Sequence, residues 1–227
     1  MFQNTLQHLR MLKRQLLLTI LAILSLTVQA SVSDTTFTIY EDGEYTTTSI
    51  RHIKASNTAA INTVQELVKQ FETTPGKLFE WALKDLGFQG QKDNELVLAL
   101  KSSTFDKKTG ITHGLVDVIV PGIKTFKNVK IDAIVNAKTS ATGVTKAIAD
   151  VLYSDMLLKK AYGQIYVVPH RGNEVVITSI LKTRFGWFFN IFITKKRYKS
   201  IVEWRVEKFN DNMCDTTIKY DKTKAKR

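Results

Sequence analysis

Cysteine is nearly absent from this chain of 227 residues, which contains only Cys214. A single cysteine cannot form a disulfide bond within the chain, so the fold does not depend on a disulfide framework. Cys214 lies near the end of a predicted helix, where a lone thiol is typically inert. We therefore predict no chemical role for it.

The local motifs of several common enzyme classes are also missing. The four histidines do not occur in the HExxH or HxH spacing that indicates a metal site. The chain has no GxSxG sequence around a nucleophilic serine and no GxxxxGK[ST] phosphate loop. These absences argue against a zinc protease, a serine hydrolase and a P-loop enzyme, and we predict no cofactor. Carboxylate chemistry needs no local motif and stays open.

The apolar run at residues 16–26 is shorter than the roughly 20 residues with which a helix crosses a bilayer. It follows a segment that is basic and has no acid, and it precedes Val28-Gln29-Ala30, a small-x-Ala sequence. This order is typical of a secretory signal peptide. An uncleaved N-terminal anchor is the alternative.

From these features we predict three parts. Residues 1–30 are the signal peptide, 31–213 form a single domain, and 214–227 form a basic polar tail. Export would place the protein in the periplasm or outside the cell, in association with the cell envelope.

Positive charge is concentrated in the C-terminal third of a chain whose formal net charge is +12. Such an excess favours an anionic partner. For an exported protein we expect anionic lipid or polyanionic glycan, and no nucleic acid. Aromatic residues at 185–193 precede a basic segment at 194–199, an order that suits a membrane interface. The predicted membrane-surface residues are Trp187, Lys195, Lys196 and Arg197. Alternatively, the aromatic rings fill the core beneath the sheet.

Apolar periodicity predicts an α+β domain: an antiparallel sheet with two short helices and a long C-terminal amphipathic helix on one face. A hairpin is predicted at 36–53, helices at 57–71 and 75–86, and strands at 95–102, 112–120, 127–138, 163–168 and 174–183. Residues 140–160 are ambiguous, although the spacing of Val144, Ile148, Val151 and Leu152 favours a helix. The last helix is predicted at 187–213, with a frayed tail after it.

The order of elements resembles the helix-grip fold of the START-like (SRPBCC) superfamily, most closely from Gly163 to Phe209. A second resemblance is to secreted bacterial domains with a TATA-binding-protein-like fold, mostly of unknown function. The helix-grip resemblance implies a cavity between the sheet and the last helix that binds a hydrophobic or lipid-like ligand. The residues implied as its lining are Leu98, Val118, Ile131, Ile177, Val202 and Val206, with His113 and Asp117 as orienting polar groups.

Three functions follow as hypotheses. The first is a non-enzymatic envelope protein that binds a hydrophobic small molecule or lipid. The second is a structural or interaction protein that docks on an anionic surface through its basic C-terminal face. The third is an enzyme that uses Asp117 or Asp132, which requires both carboxylates to lie in one cleft.

Overall fold

The structure is a computed structural model, and it describes residues 34–76, 97–120, 124–155, 158–186 and 195–224. The predicted signal peptide lies outside the described residues, as do Trp187 and nearly all of the predicted second short helix. None of the helices in the described segments is both long and apolar enough to cross a membrane.

Eight strands form one antiparallel sheet in the order β1-β2-β8-β7-β6-β5-β4-β3. The strands are β1 (Thr35–Glu41), β2 (Glu44–Lys54), β3 (Val97–Asp106), β4 (Ile111–Val120), β5 (Lys124–Thr139), β6 (Thr145–Ser154), β7 (Leu158–His170) and β8 (Glu174–Phe185). The helices are α1 (Asn57–Thr73), the single turn α2 (Lys195–Tyr198) and α3 (Trp204–Lys224), with a π-helical segment at Lys199–Glu203. The predicted α+β class, with the C-terminal helix packed on an antiparallel sheet, is confirmed, and the architecture is consistent with a helix grip.

The predicted hairpin and first helix are both present. Asp42 and Gly43 have φ values of 51° and 77°, the left-handed pair that a tight β1–β2 turn requires. Helix α1 begins after Ser56, whose Oγ accepts a hydrogen bond from the backbone N–H of Ala59 at 3.2 Å. The apolar stripe of α1 is buried against β5 to β8, as its spacing predicts.

The helix favoured at residues 140–160 is wrong, because this stretch forms β6 and the start of β7. Strand β6 pairs with β5 on one side and β7 on the other, and its inward side chains at Thr145 and Ala147 are buried. A bulge leaves Leu152 without a partner between Val151 and Tyr153. Because of the bulge, the apolar Val151 and Leu152 are adjacent in the sequence, which interrupts the alternation of a strand and is typical of an amphipathic helix.

The C-terminal helix is longer than predicted. It continues to Lys224, so most of the predicted polar tail is helical, and Cys214 and Thr217 are buried. Burial raises the pKa of the Cys214 thiol to about 12, which agrees with an inert residue.

Two apolar clusters lie on the inner face of the sheet, the face that carries the helices. The first joins α1 and α3 to β5–β8 and includes Val64, Val167, Ile177 and Met213. The second lies toward one end of the sheet; its buried members are Tyr45, Val116, Val118, Val129, Ile131, Phe185 and Tyr198. We call them the first and second apolar clusters.

Candidate functional site

Strand alternation decides which of the predicted lining residues share the inner face. Val118 and Ile131 are buried in the second apolar cluster, and Val202 of the π-helical segment packs against it. Leu98 lies opposite Val118 in the β3–β4 register, but its side chain is outside the described residues. The structure therefore brings these positions of the predicted lining to one region.

Ile177 and Val206, the other two predicted lining residues, lie elsewhere. Ile177 has no exposed surface and belongs to the first apolar cluster with Met213. Val206 is buried on α3. Where α3 crosses β2 and β8, helix and sheet touch directly, because the buried Asn210 side chain bonds to the backbone oxygens of Ser49 and Ile177 at 2.9 and 3.2 Å. The predicted ligand space is thus not located at this crossing.

The polar residues predicted to orient a ligand point away from the inner face. His113 and Asp117 alternate with the buried Val116 and Val118, so they lie on the outer face of β4. His113 Nδ1 is 2.7 Å from Asp132 Oδ1 on the neighbouring strand. The structure does not bring His113 and Asp117 to the predicted apolar lining.

Asp117 and Asp132 are also separated from each other. His113 pairs with Asp132 across β4 and β5, and Asp117 is four residues further along β4, which is roughly 13 Å in a strand. A site that needs both carboxylates in one cleft is not formed by this arrangement.

A depression of about 410 Å³ lies beside the second apolar cluster, at the start of β5. It is lined by Lys124, Thr125, Phe126, Lys127, Asn128, Val129 and Asp155. Phe126 and Val129 also pack in the second apolar cluster, so the wall of the depression is continuous with the apolar interior. The volume falls within the roughly 300–1,000 Å³ that small-molecule sites occupy.

The shape of the depression depends on a bulge in β5. Val116 pairs with Val129 but Val118 pairs with Phe126, so Lys127 and Asn128 together oppose Asp117. Asn128 has φ 55°, and its backbone N–H donates to Asp117 Oδ1 at 2.9 Å. Asp117 thereby fixes the backbone of the bulge and also lies 3.7 Å from the Lys101 ammonium group.

Asp155 fixes the other side of the depression. Its Oδ2 accepts the backbone N–H of Lys130 at 3.0 Å, and its own N–H donates to the Lys130 carbonyl at 3.1 Å. The hydroxyl of Tyr153 donates to Asp155 Oδ1. The hydrogen bonds that the Asp155 carboxylate accepts, first from Tyr153 and then from the Lys130 N–H, lower the pKa of Asp155, and the contact with Asp155 raises the pKa of Tyr153.

The chemistry of the depression is amphipathic. Phe126 and Val129 supply apolar surface, while Lys124 and Lys127 are exposed cations at its rim. The Lys124 ammonium group lies 5.4 Å from the centre of the Phe126 ring. The Asp155 carboxylate also lines the depression, but its oxygens accept hydrogen bonds from Tyr153 and Lys130. Because the two lysines outnumber this carboxylate, an apolar group beside an anionic group fits the lining. The sequence signal was present in Lys-Thr-Phe-Lys at 124–127, but the predicted strand began only at Lys127.

Three aromatic rings close the second apolar cluster near the C-terminal helix. Tyr45 and Tyr198 stack with their centroids 3.7 Å apart, and Phe185 meets both rings edge-on. The Tyr198 hydroxyl is 3.4 Å from Thr47 Oγ1, and burial raises the pKa of Tyr198. These rings are structural, because they join β2, β8 and α2.

Of the predicted membrane-surface residues, Lys195 and Lys196 are exposed on α2. The Lys195 ammonium group lies 4.2 Å from the centre of the Tyr40 ring. Trp187 and the Arg197 side chain are outside the described residues. Within the described segments, the acidic, histidine and cysteine side chains do not form a group of three or more that could hold a metal ion.

No protein-family model and no curated protein sequence matches this chain. Among solved structures it is similar to norcoclaurine synthase from Thalictrum flavum, with 14% identity and a TM-score of 0.35 over 78% of this chain and 87% of that one. It is similar to Ara h 8.0201, with 11% identity and a TM-score of 0.40 over 78% and 99% of the two chains.

The di-domain ARO/CYC protein BexL of the BE-7585A biosynthetic pathway is a further neighbour. It has 7% identity and a TM-score of 0.43, over 80% of this chain and 51% of BexL. These TM-scores are low, and function has to be inferred from the residues of this chain.

Proposed function

We propose that this protein binds a hydrophobic, lipid-like small molecule that carries an anionic group, and that it does so as a binding protein without a chemical step. The observation that supports this proposal is the depression at the start of β5, which combines the apolar Phe126 and Val129 with the cationic Lys124 and Lys127. The second apolar cluster lies directly behind it.

Burial of the apolar part of the ligand supplies most of the binding free energy, at about 25 cal/mol per Å² removed from water. The two lysines add less, because their ammonium groups stay hydrated at the rim. Their contribution is selectivity for an anionic over a neutral head group. We expect the apolar part of the ligand to contact Phe126 and Val129, and to reach Val118 and Ile131 if the cluster opens.

Export to the cell envelope is part of the proposal, and it is supported by the order of basic, apolar and small residues in 1–30. N-terminal sequencing of the protein isolated from its native cells tests it. A mature N-terminus at Ser31 in an envelope fraction is the expected result. Full-length protein in the cytoplasmic fraction would contradict it.

Calorimetric titration with oleate and with oleyl alcohol tests the ligand class, because the two differ only in the head group. We expect oleate to bind more tightly. The double variant Lys124→Glu and Lys127→Glu should weaken oleate binding by about tenfold and leave oleyl alcohol nearly unchanged. Lys219→Glu with Lys222→Glu, at exposed positions on α3, is the matched control and should change neither. Absence of binding by both probes, or equal losses in the two variants, would refute the proposal.

A further inference from the structure

Large aromatic side chains are exposed where β1 meets the π-helical segment and at the start of α3, which follows that segment. Tyr40 is 41% exposed on β1, and Trp204 is 45% exposed on the first turn of α3. Lys195 and Lys196 on α2 and Lys199, the first residue of the π-helical segment, are all exposed. We call these five residues the aromatic–basic surface.

The aromatic–basic surface is held in place by buried contacts. The Tyr40 ring packs on Tyr45 at 4.5 Å between centroids, and Tyr45 stacks on Tyr198. The Lys195 ammonium group of α2 lies 4.2 Å from the centre of the Tyr40 ring. Tyr40 and α2 therefore form one rigid unit with the core, which reduces the ordering entropy that docking would cost.

The three exposed lysines of this surface exceed the two exposed acids beside it, which favours an anionic partner. Glu44, the first residue of β2, pairs with Lys160 at 3.0 Å, and Glu207 on α3 pairs with Arg51 at 2.9 Å. Glu41 and Asp42 remain exposed in the β1–β2 turn. The lysines of α2 and the adjoining turn of π-helix form a cationic group next to the exposed rings.

We propose that the aromatic–basic surface docks on an anionic lipid bilayer. Tyrosine and tryptophan side chains favour the head-group layer, since each has an apolar ring and a polar group. Each lysine near an anionic bilayer adds attraction to lipid phosphates. A glycan or nucleic acid would use the lysines but would leave the exposed apolar parts of the Tyr40 and Trp204 rings in water, so lipid fits the whole surface better.

The aromatic–basic surface lies at the same end of the sheet as the depression, which relates the docking to the proposed function. The β1–β2 turn lies at the same end of the sheet as the end of β8 and the start of β7. The end of β6 pairs with the start of β7 on one side and with the first half of β5 on the other. The start of β5, and with it the depression, therefore lies at this same end of the sheet. Docking would therefore bring the bilayer to the end of the protein at which the proposed ligand binds. The docking itself does not depend on the ligand proposal.

Co-sedimentation of the full chain with phosphatidylcholine vesicles, with and without phosphatidylglycerol, tests the docking. We expect binding only to the vesicles that contain phosphatidylglycerol, and weaker binding at higher salt. Lys195→Glu with Lys196→Glu should weaken it by about tenfold or more. Tyr40→Ser with Trp204→Ser should weaken it several-fold at unchanged net charge.

The control is again Lys219→Glu with Lys222→Glu, which makes the same charge change elsewhere on the chain. It should weaken binding by less than about threefold, since it alters only the general attraction. An equal loss in this control, or full binding after the aromatic substitutions, would show non-specific adsorption and overturn the proposal. Binding to heparin or DNA but not to the vesicles would also overturn it.

Oleate titration of the Lys195→Glu and Lys196→Glu variant separates the two proposals. Unchanged oleate affinity with lost vesicle binding supports docking as a separate property. If the wild-type chain binds vesicles but not oleate, the docking proposal stands and the ligand proposal fails.

Discussion

The two sides of the inner face are built from different chemistry. Where α3 crosses β2 and β8, hydrogen bonds and ion pairs accompany the apolar contacts of the first apolar cluster. At the start of β5, the same face is lined with valine, isoleucine and aromatic side chains. Hydrogen bonds require fixed distances and angles, so they define one helix position. Apolar contacts are not directional and accept a different occupant more readily.

The polar contacts of α3 extend along β2. Asn210 has no exposed surface, and its Oδ1 accepts a hydrogen bond from Ser179 Oγ at 3.0 Å. Arg51 bonds to Asp211 at 2.8 Å and to Glu207 at 2.9 Å. Ser56 Oγ donates to Asp221 at 2.6 Å. We call this series the polar seam, and we infer that it holds α3 in place while ligand binding takes place at the second apolar cluster.

Asn210→Ala should have the largest effect on stability. It removes the buried hydrogen bonds that Asn210 makes to the Ser179 hydroxyl and to the backbone oxygens of Ser49 and Ile177, which we expect to cost about 3 kcal/mol. Urea denaturation measures the free energy of unfolding. Asn212→Ala, an exposed position on the same helix, is the control and should change it by less than about 0.5 kcal/mol. Equal effects of the two substitutions would mean that the polar seam does not hold the helix.

Val118→Ala tests the apolar side and should cost less, about 2 kcal/mol, from lost burial and a small void. Because the void enlarges the second apolar cluster, we expect oleate to bind at least as tightly as to the wild-type chain. Val168→Ala, on the exposed outer face of β7, should leave both stability and binding nearly unchanged. A clear loss of oleate affinity in the folded Val118→Ala variant would contradict the expectation that the void accommodates the ligand.

Asp155→Asn should have the smallest effect, and a pH-dependent one. The pKa of Asp155 is lower in the folded chain than the unfolded value of about 3.9, so its carboxylate stabilises the fold above that pH. The contribution disappears as the pH falls through the folded pKa. Because the group is largely hydrated, we expect only a few tenths of a kcal/mol. Thermal unfolding of both proteins should differ at pH 6 and converge near pH 2; a constant difference would assign the effect to packing.

The comparison also shows what local sequence can predict. The β1–β2 hairpin and α1 are evident from Gly43, Ser56 and the periodicity that follows, because turns, caps and amphipathic stripes are encoded by neighbouring residues. The outward direction of His113 and Asp117 was also encoded, since both alternate with Val116 and Val118. Their polarity alone does not distinguish a ligand-binding side chain from a solvated one.

Other features depend on residues far apart in the chain. Asn210 and Ser49 are separated by 161 positions, so nothing near Asn210 distinguishes it from a solvated asparagine. The bulge at Leu152 made a strand resemble a helix, and its position is defined by β5, not by β6 alone. The depression likewise depends on a second bulge, where Lys127 and Asn128 face Asp117.

Methyl NMR of the full chain, titrated with oleate, tests most directly whether the second apolar cluster and the depression beside it are the ligand site. We predict saturable shifts of the Val118 and Val129 methyl signals at one oleate per chain. The Val64 and Val167 signals, in the first apolar cluster, should stay in place. Shifts confined to Val64 and Val167, or no saturable shift at any of the four, would contradict the account.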